Sequence, residues 1–196
     1  MRFFKENSDS IVKLFINQIG IAIFSMFLYT AAGALSEKID NPLAMKIFIS
    51  VFSIAFYFVL IYNVAWEIGA KDKIRIDGNR IEKDEKKGIL LGIYANIPNF
   101  IIVGISIALS ALYIASGQEV FKTVFAVLNF LFRFFLSMYL GVIQGITSFI
   151  SDENVSFLIQ TVLFFAFSAI SAVVTHFSYV LGLRDFRFFA TSKSNK

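Results

Sequence analysis

The chain contains no cysteine, two prolines, one histidine and one tryptophan among 196 residues, and only 16% of it is charged. Without cysteine there are no disulfides, no thiolate ligands and no thiol nucleophile. One histidine falls short of the several convergent donors that a zinc centre needs, so no metal or other cofactor is expected. The sequence also lacks a P-loop, G-x-S-x-G, H-E-x-x-H and CxxC, the short patterns that mark much phosphate-binding, hydrolytic and redox chemistry. The reading is therefore non-enzymatic. A soluble domain hydrates its surface with about 25% charged residues. Here the charges are fewer, and most lie near the two ends or between Lys71 and Lys87.

What fills the space is apolar. Hydrophobic residues make up 57% of the chain, 25 of them phenylalanine, and the mean hydropathy is +0.72. A bilayer core of about 30 Å takes about 20 helical residues to cross. Tracts 11–35, 43–68, 88–115 and 155–183 each exceed that length, which predicts an all-α integral membrane protein forming one membrane domain. Ala32-Gly33-Ala34 resembles a signal-peptidase site. The apolar stretch before it is longer than the usual leader core of about 7–15 residues, and Asn17 and Gln18 inside it suit helix packing, so a retained helix is expected. Asn41-Pro42 marks the turn into the second tract, where Lys46 can snorkel to head groups and where Tyr62 and Trp66 form an aromatic belt at the far end.

Segment 69–87 carries seven bases and five acids and reads as a basic cytoplasmic loop, either as a small hairpin or as extensions of its flanking helices around Asp77-Gly78-Asn79. That tripeptide resembles a fragment of a calcium loop, but the remaining ligand spacing fails. Segment 120–150 is long enough for one crossing and too short for two, with Arg133 at its middle. A base there costs about 2.5–3.5 kcal/mol on insertion scales. Lys and Arg in short loops set orientation. With five spans, ten bases fall inside and seven outside; with four spans and a re-entrant or interfacial 120–150, fourteen fall inside and three outside. A bundle of four transmembrane helices plus a re-entrant or interfacial segment is therefore expected, with five helices as the alternative. Both termini, including the basic tail 184–196, are then cytoplasmic and the membrane is the cell membrane. The net charge of +4 points to the lipid bilayer and its anionic head groups as partners, not to nucleic acid.

Few side chains are candidates for chemistry. Ser168, Ala172 and His176 share a helix face, as in a packing seam with His176 in an interhelical hydrogen bond; intramembrane ionisable groups also serve as relays or ligand sites. Asn96-Ile97-Pro98-Asn99 combines a proline that frees the Tyr94 carbonyl with two amides able to satisfy it or to cradle a polar solute. Asn63 and Glu67 stand one turn apart, Glu67 within reach of Lys13 or a loop lysine. Gly88-x-x-x-Gly92 and Gly141-x-x-x-Gly145 allow close helix approach, more simply within the chain than between copies.

Trp66, Gly69, Lys71-Asp72, Gly78-Asn79-Arg80, Asp84, Lys87-Gly88, Gly92, Asn96-Ile97-Pro98-Asn99, Leu128-Asn129 and Tyr179 to Gly182 form a pattern over the middle and end of the chain. In it the chain resembles a group of small, uncharacterised multi-pass membrane proteins from Gram-positive bacteria. The resemblance implies four spans and a non-spanning segment before the last helix; it implies no activity. Arg133 and its phenylalanine-rich surroundings stand where the group has a more proline-rich segment. The functional expectation is a non-enzymatic subunit or accessory partner of a membrane system, with a membrane-protein partner contacting 69–87. The alternative is a small-molecule or ion carrier whose polar path uses Asn96, Asn99 and His176.

Overall fold

A computed structural model describes residues 2–35 and 41–187. The described residues form helices α1 (Arg2–Leu35), α2 (Pro42–Asp77), α3 (Lys87–Ser116), α4 (Glu119–Phe135), α5 (Leu140–Thr147) and α6 (Glu153–Leu183), with a 3₁₀ turn over Ser137–Tyr139. No strand occurs among them. Local chemistry sets several ends. The Asn41 side chain accepts from the Ala44 amide and Pro42 fills the first turn of α2, where a missing N–H costs nothing. Asp152 caps α6 by accepting from the Val155 amide. Gly117, at φ 68°, turns the chain out of α3, a conformation that suits glycine. Asn7 interrupts α1 with φ −124° and ψ 15°.

The four long apolar helices α1, α2, α3 and α6 are the spans, making an all-α membrane bundle. They alternate in direction in a simple way. Lys13 meets Glu67 while Phe24 meets Phe56, so α1 and α2 are antiparallel. Gly88 packs on Tyr179, Gly92 on Ala172 and Phe100 on Phe165, so α3 and α6 are antiparallel. Gly69 and Gly182 meet where α2 and α6 run side by side. A methyl group on Gly69 would run into the Tyr179 carbonyl, and one on Gly182 into that of Trp66; both positions require glycine for this contact, the small-residue packing that membrane helices use. One end of the bundle therefore holds the start of α1, the α2–α3 connection and the end of α6. We refer to it as the charged end, and to the opposite one as the far end.

α2 is longer than its apolar tract. It continues through residues 69–77 and stops at Gly78 and Asn79, the latter at φ 52°. About half of the basic segment 69–87 is thus helix, the extension open to it from sequence rather than a hairpin, and 78–86 connects α2 to α3. Its Lys, Arg, Ile and Asp residues offer nothing to interrupt the ladder before Gly78, and each further residue adds a backbone bond at little entropic cost.

α3 ends and α6 begins at the far end, so everything between them enters and leaves there. α4 descends into the bundle, and the chain then bends by 84° into α5. The bend is deep: Leu136, Met138 and Tyr139 are fully buried. Backbone at this depth must find protein partners. The Met138 carbonyl accepts from Ser50 Oγ at 2.5 Å, and Ser137 Oγ donates to the Ala22 carbonyl at 2.6 Å. Tyr139 stacks on Phe167 with centroids 4.7 Å apart. α5 returns along α2, where Gly141 lies against the Lys46 backbone and Gly145 against Ile47. The segment enters and leaves the bundle at the far end, a course that fits four spans with a re-entrant hairpin; by length and composition alone the bent pair also passes as one span.

Candidate functional sites at the two ends of the bundle

At the charged end α2 places Asp72 inward, only 3% exposed. Lys87, the first residue of α3, brings its Nζ to 2.7 Å from Asp72 Oδ2, and Tyr179 of α6 donates its hydroxyl to the same oxygen at 2.9 Å. Arg75 stands 3.8 Å from the other carboxylate oxygen. One carboxylate thus fastens three helices together. A buried ion without a partner is costly, and here every element of the interface supplies one. Outside it, Glu67 accepts from Lys13 at 2.9 Å and Lys71 at 2.7 Å, so both pairings open to it from sequence occur. Asn63, one turn earlier, is exposed on the bundle surface. In the connection, the Lys83 ammonium, 2.6 Å from Glu85, hydrogen-bonds its carboxylate and holds its pKa below the usual range.

A polar cavity of about 350 Å3 opens between the first turns of α1 and the end of α2, lined by Lys5, Lys13, Glu67, Lys71, Arg75 and Lys87 among others. After α6 the chain folds back over α2. Trp66 Nε1 donates to the Phe186 carbonyl at 2.7 Å, the Arg187 guanidinium lies 4.0 Å from the Trp66 ring centroid, and Lys73 stands 3.8 Å from Asp185. Tail residues 188–196 lie outside the described residues. Chemically, this end is a set of ion pairs around a polar opening. Two of its carboxylates, the buried Asp72 and the half-exposed Glu67, are engaged by lysines.

The middle of the bundle holds Asn96, Pro98 and Asn99 in an α3 that continues through the proline. Asn96 Nδ2 donates to the Gly92 carbonyl at 2.9 Å, and Asn99 Nδ2 to Asn96 Oδ1 at 3.1 Å. Both amides are buried and bind each other and their own helix. His176 is elsewhere, one turn from Tyr179 and half-buried while Ser168 and Ala172 are buried. Its Nδ1 is buried without a hydrogen-bond partner among the described residues. Asn96 and Asn99 thus bond within α3, while His176 lies on α6 nearer the charged end. Between the two ends lie Ile21, Val103, Phe132, Met138 and Phe164, all buried and apolar.

At the far end Arg133 leaves α4 to meet neutral groups. Its Nε donates to Asn129 Oδ1 at 2.6 Å and one terminal nitrogen donates to Gln160 Oε1 at 2.7 Å, with the guanidinium 5.8 Å from the Phe157 centroid. Gln160 in turn donates to Thr147 at 3.1 Å, linking α4, α5 and α6. Two cavities flank this network. One of about 420 Å3 lies between α3, α4 and α6 and is lined by Ser110, Tyr113, Phe125, Asn129, Glu153 and Phe157 among others. The other, of about 260 Å3, lies between α1, α4 and α5. No group of three or more His, Asp or Glu side chains able to hold a metal occurs among the described residues.

Arg133 and Glu67 were legible as candidates because a charge in an apolar tract stands out alone. Asp72, Lys87, Tyr179, Tyr29 and Gln144 were not singled out. Asp72 and Lys87 sit within a run of charges, and nothing in a linear run distinguishes the one that turns inward. The first three do occur in the sequence pattern that runs from Trp66 to Gly182, which was the available signal. Comparison with protein-family models, curated proteins and solved structures finds no match.

Proposed function

We propose that the chain is a non-enzymatic subunit or accessory partner of a larger membrane system, seated in the cell membrane with both termini and segment 69–87 in the cytoplasm. One observation carries the reading: five bases, Lys5, Lys13, Lys71, Arg75 and Lys87, line an open polar cavity at the charged end together with four acids, Glu6, Asp9, Glu67 and Asp72, on a base of three helices fastened through Asp72. Such a surface suits an acidic partner or anionic head groups, and an excess of bases at one end favours the cytoplasmic side. Glu67 and Asp72 there are held in ion pairs, which suits a docking face better than acid–base chemistry. Membership of the Gram-positive group belongs to the same proposal. It is supported by the way Trp66, Gly69, Asp72, Lys87, Gly88, Gly92, Tyr179 and Gly182 meet on the α2–α3–α6 interface.

Cross-linking in cells followed by purification in mild detergent tests this. A stoichiometric protein partner is expected, and its retention falls when Arg75 and Lys86 are both changed to Glu. A clean monomer, with and without cross-linking, overturns the subunit reading. A carrier is the second reading, favoured by the broken α4–α5 unit, since discontinuous helices build many transporter sites, and by the 420 Å3 crevice beside it. Val103, Phe132 and Phe164 close that route in this conformation. A carrier shows concentration-dependent thermal stabilisation by its solute.

A further inference from the structure

We propose that the slot between α1, α4 and α5 at the far end binds the phosphate of an anionic membrane lipid. One cation, Arg133, lines the slot, and a second, Lys46, reaches the ring of Tyr29 on its wall. Arg133 lines the slot with Tyr29, Gln144, Met26, Phe130 and Leu140. Lys46 of α2 stands over the Tyr29 ring, its Nζ 5.7 Å from the centroid. Tyr29 donates its hydroxyl to Gln144 Oε1 at 2.5 Å, which ties the two walls together. Among the described residues no carboxylate pairs with Arg133 or Lys46. Neutral amide oxygens solvate the Arg133 guanidinium without cancelling its charge, so the site is positive overall. A guanidinium has five donors, and its bonds to phosphate are charge-assisted and commonly bidentate.

The surroundings select a lipid as the source of the phosphate. Phe130 on the slot wall is 67% exposed, and Phe27, one residue from Met26 on the adjoining surface of α1, is 71% exposed. On membrane-spanning elements these rings face acyl chains. A water-borne anion has no route through that layer, whereas a lipid covers the rings with its tails while its phosphate meets the bases. The depth agrees. Tyr29 is six residues before the end of α1, Lys46 four after the start of α2 and Gln160 seven after the start of α6. At 1.5 Å per residue that is about 6–10 Å from the helix ends, within the reach by which long basic side chains meet the head-group layer.

The test uses full-length protein purified in neutral detergent, with native mass spectrometry and thermal unfolding as readouts. Phosphatidylglycerol should remain bound as one tightly held lipid and raise the unfolding temperature. Phosphatidylcholine with the same chains should bind about tenfold more weakly or less, a difference of one decade in Kd. Inorganic phosphate at millimolar concentration should have no effect. The double variant R133Q/K46Q should lose the preference for phosphatidylglycerol, and K46Q alone, at a half-buried position, should weaken it if R133Q does not fold. R75Q/K86Q at the charged end should keep it. Four results overturn the proposal: equal retention of the two lipids, protection by inorganic phosphate alone, an unchanged preference in K46Q and R133Q/K46Q, or a protein partner occupying the slot in place of lipid.

Discussion

Substituting Lys87 with Met tests whether Asp72 fastens the charged end. Removing one member of a fully buried ion pair costs about 3–5 kcal/mol, because the other is left buried and alone. Three features move the figure down here. Tyr179 still donates to Asp72, and both Asp72 and Lys87 border the 350 Å3 polar cavity, through which water reaches the orphaned carboxylate. Lys87 also opens α3, and taking a cation off a helix N-terminus returns about 0.3–1 kcal/mol. The expected loss for K87M is therefore about 2–3 kcal/mol. D72N should cost about 1–2 kcal/mol, since Lys87 is 17% exposed and can turn its ammonium to water. The double variant should lose about 2–3 kcal/mol, less than the singles added, with a coupling of about 1–2 kcal/mol. Reversible unfolding in mixed neutral and anionic micelles, followed by helical circular dichroism, reads all four corners of the cycle. K86M, an exposed neighbour, serves as control and should stay within about 0.5 kcal/mol of the parent. A K87M protein as stable as K86M, or a coupling indistinguishable from zero, would refute the reasoning.

Three further outcomes follow from the packing and topology. G182L should abolish the monodisperse folded species in detergent, because its side chain meets the Trp66 carbonyl, whereas G104A, with nothing within 4 Å of the added methyl, should be neutral or more stable by about 0.5–1 kcal/mol; equal behaviour of the two in size-exclusion chromatography and thermal unfolding would contradict the close α2–α6 contact. The absence of native cysteine makes single-cysteine labelling clean. Cysteines at Gly117 and Ser151 should react from one side of the membrane, and those at Asn79 and Asp185 from the other; Gly117 and Ser151 labelling from opposite sides would restore the fifth span. N99A should lose about 1 kcal/mol in thermal unfolding, for one hydrogen bond within its own helix, with no solute-dependent change; a stabilising solute whose effect N99A removes would favour the carrier.

The spans were legible because hydrocarbon imposes a length and a composition that no other environment requires, and tracts 43–68, 88–115 and 155–183 lie inside α2, α3 and α6. The end of α2 was not, since beyond Ile68 the hydropathy signal stops while the helix goes on to Asp77. Polarity records where the bilayer ends, and backbone geometry records where the helix ends. The re-entrant course of 120–150 was reachable only indirectly, from the Lys and Arg balance across the whole chain. Its bend over Ser137–Tyr139 has no proline or glycine to announce it; partners 115 and 88 residues away, Ala22 and Ser50, hold it in place. Of the candidates, Asn96 and Asn99 bond within their own helix, to the Gly92 carbonyl and to each other, a choice that the sequence left open beside the cradling of a polar solute.

The buried bend between α4 and α5 joins parts of the chain made at different times. Its peptide and hydroxyl groups rest on α1 and α2, which precede it in synthesis, and its aromatic ring rests on Phe167, a residue synthesised well after it. A chain that stops before α6 therefore carries the bend with its polar supports in place and one face of Tyr139 uncovered.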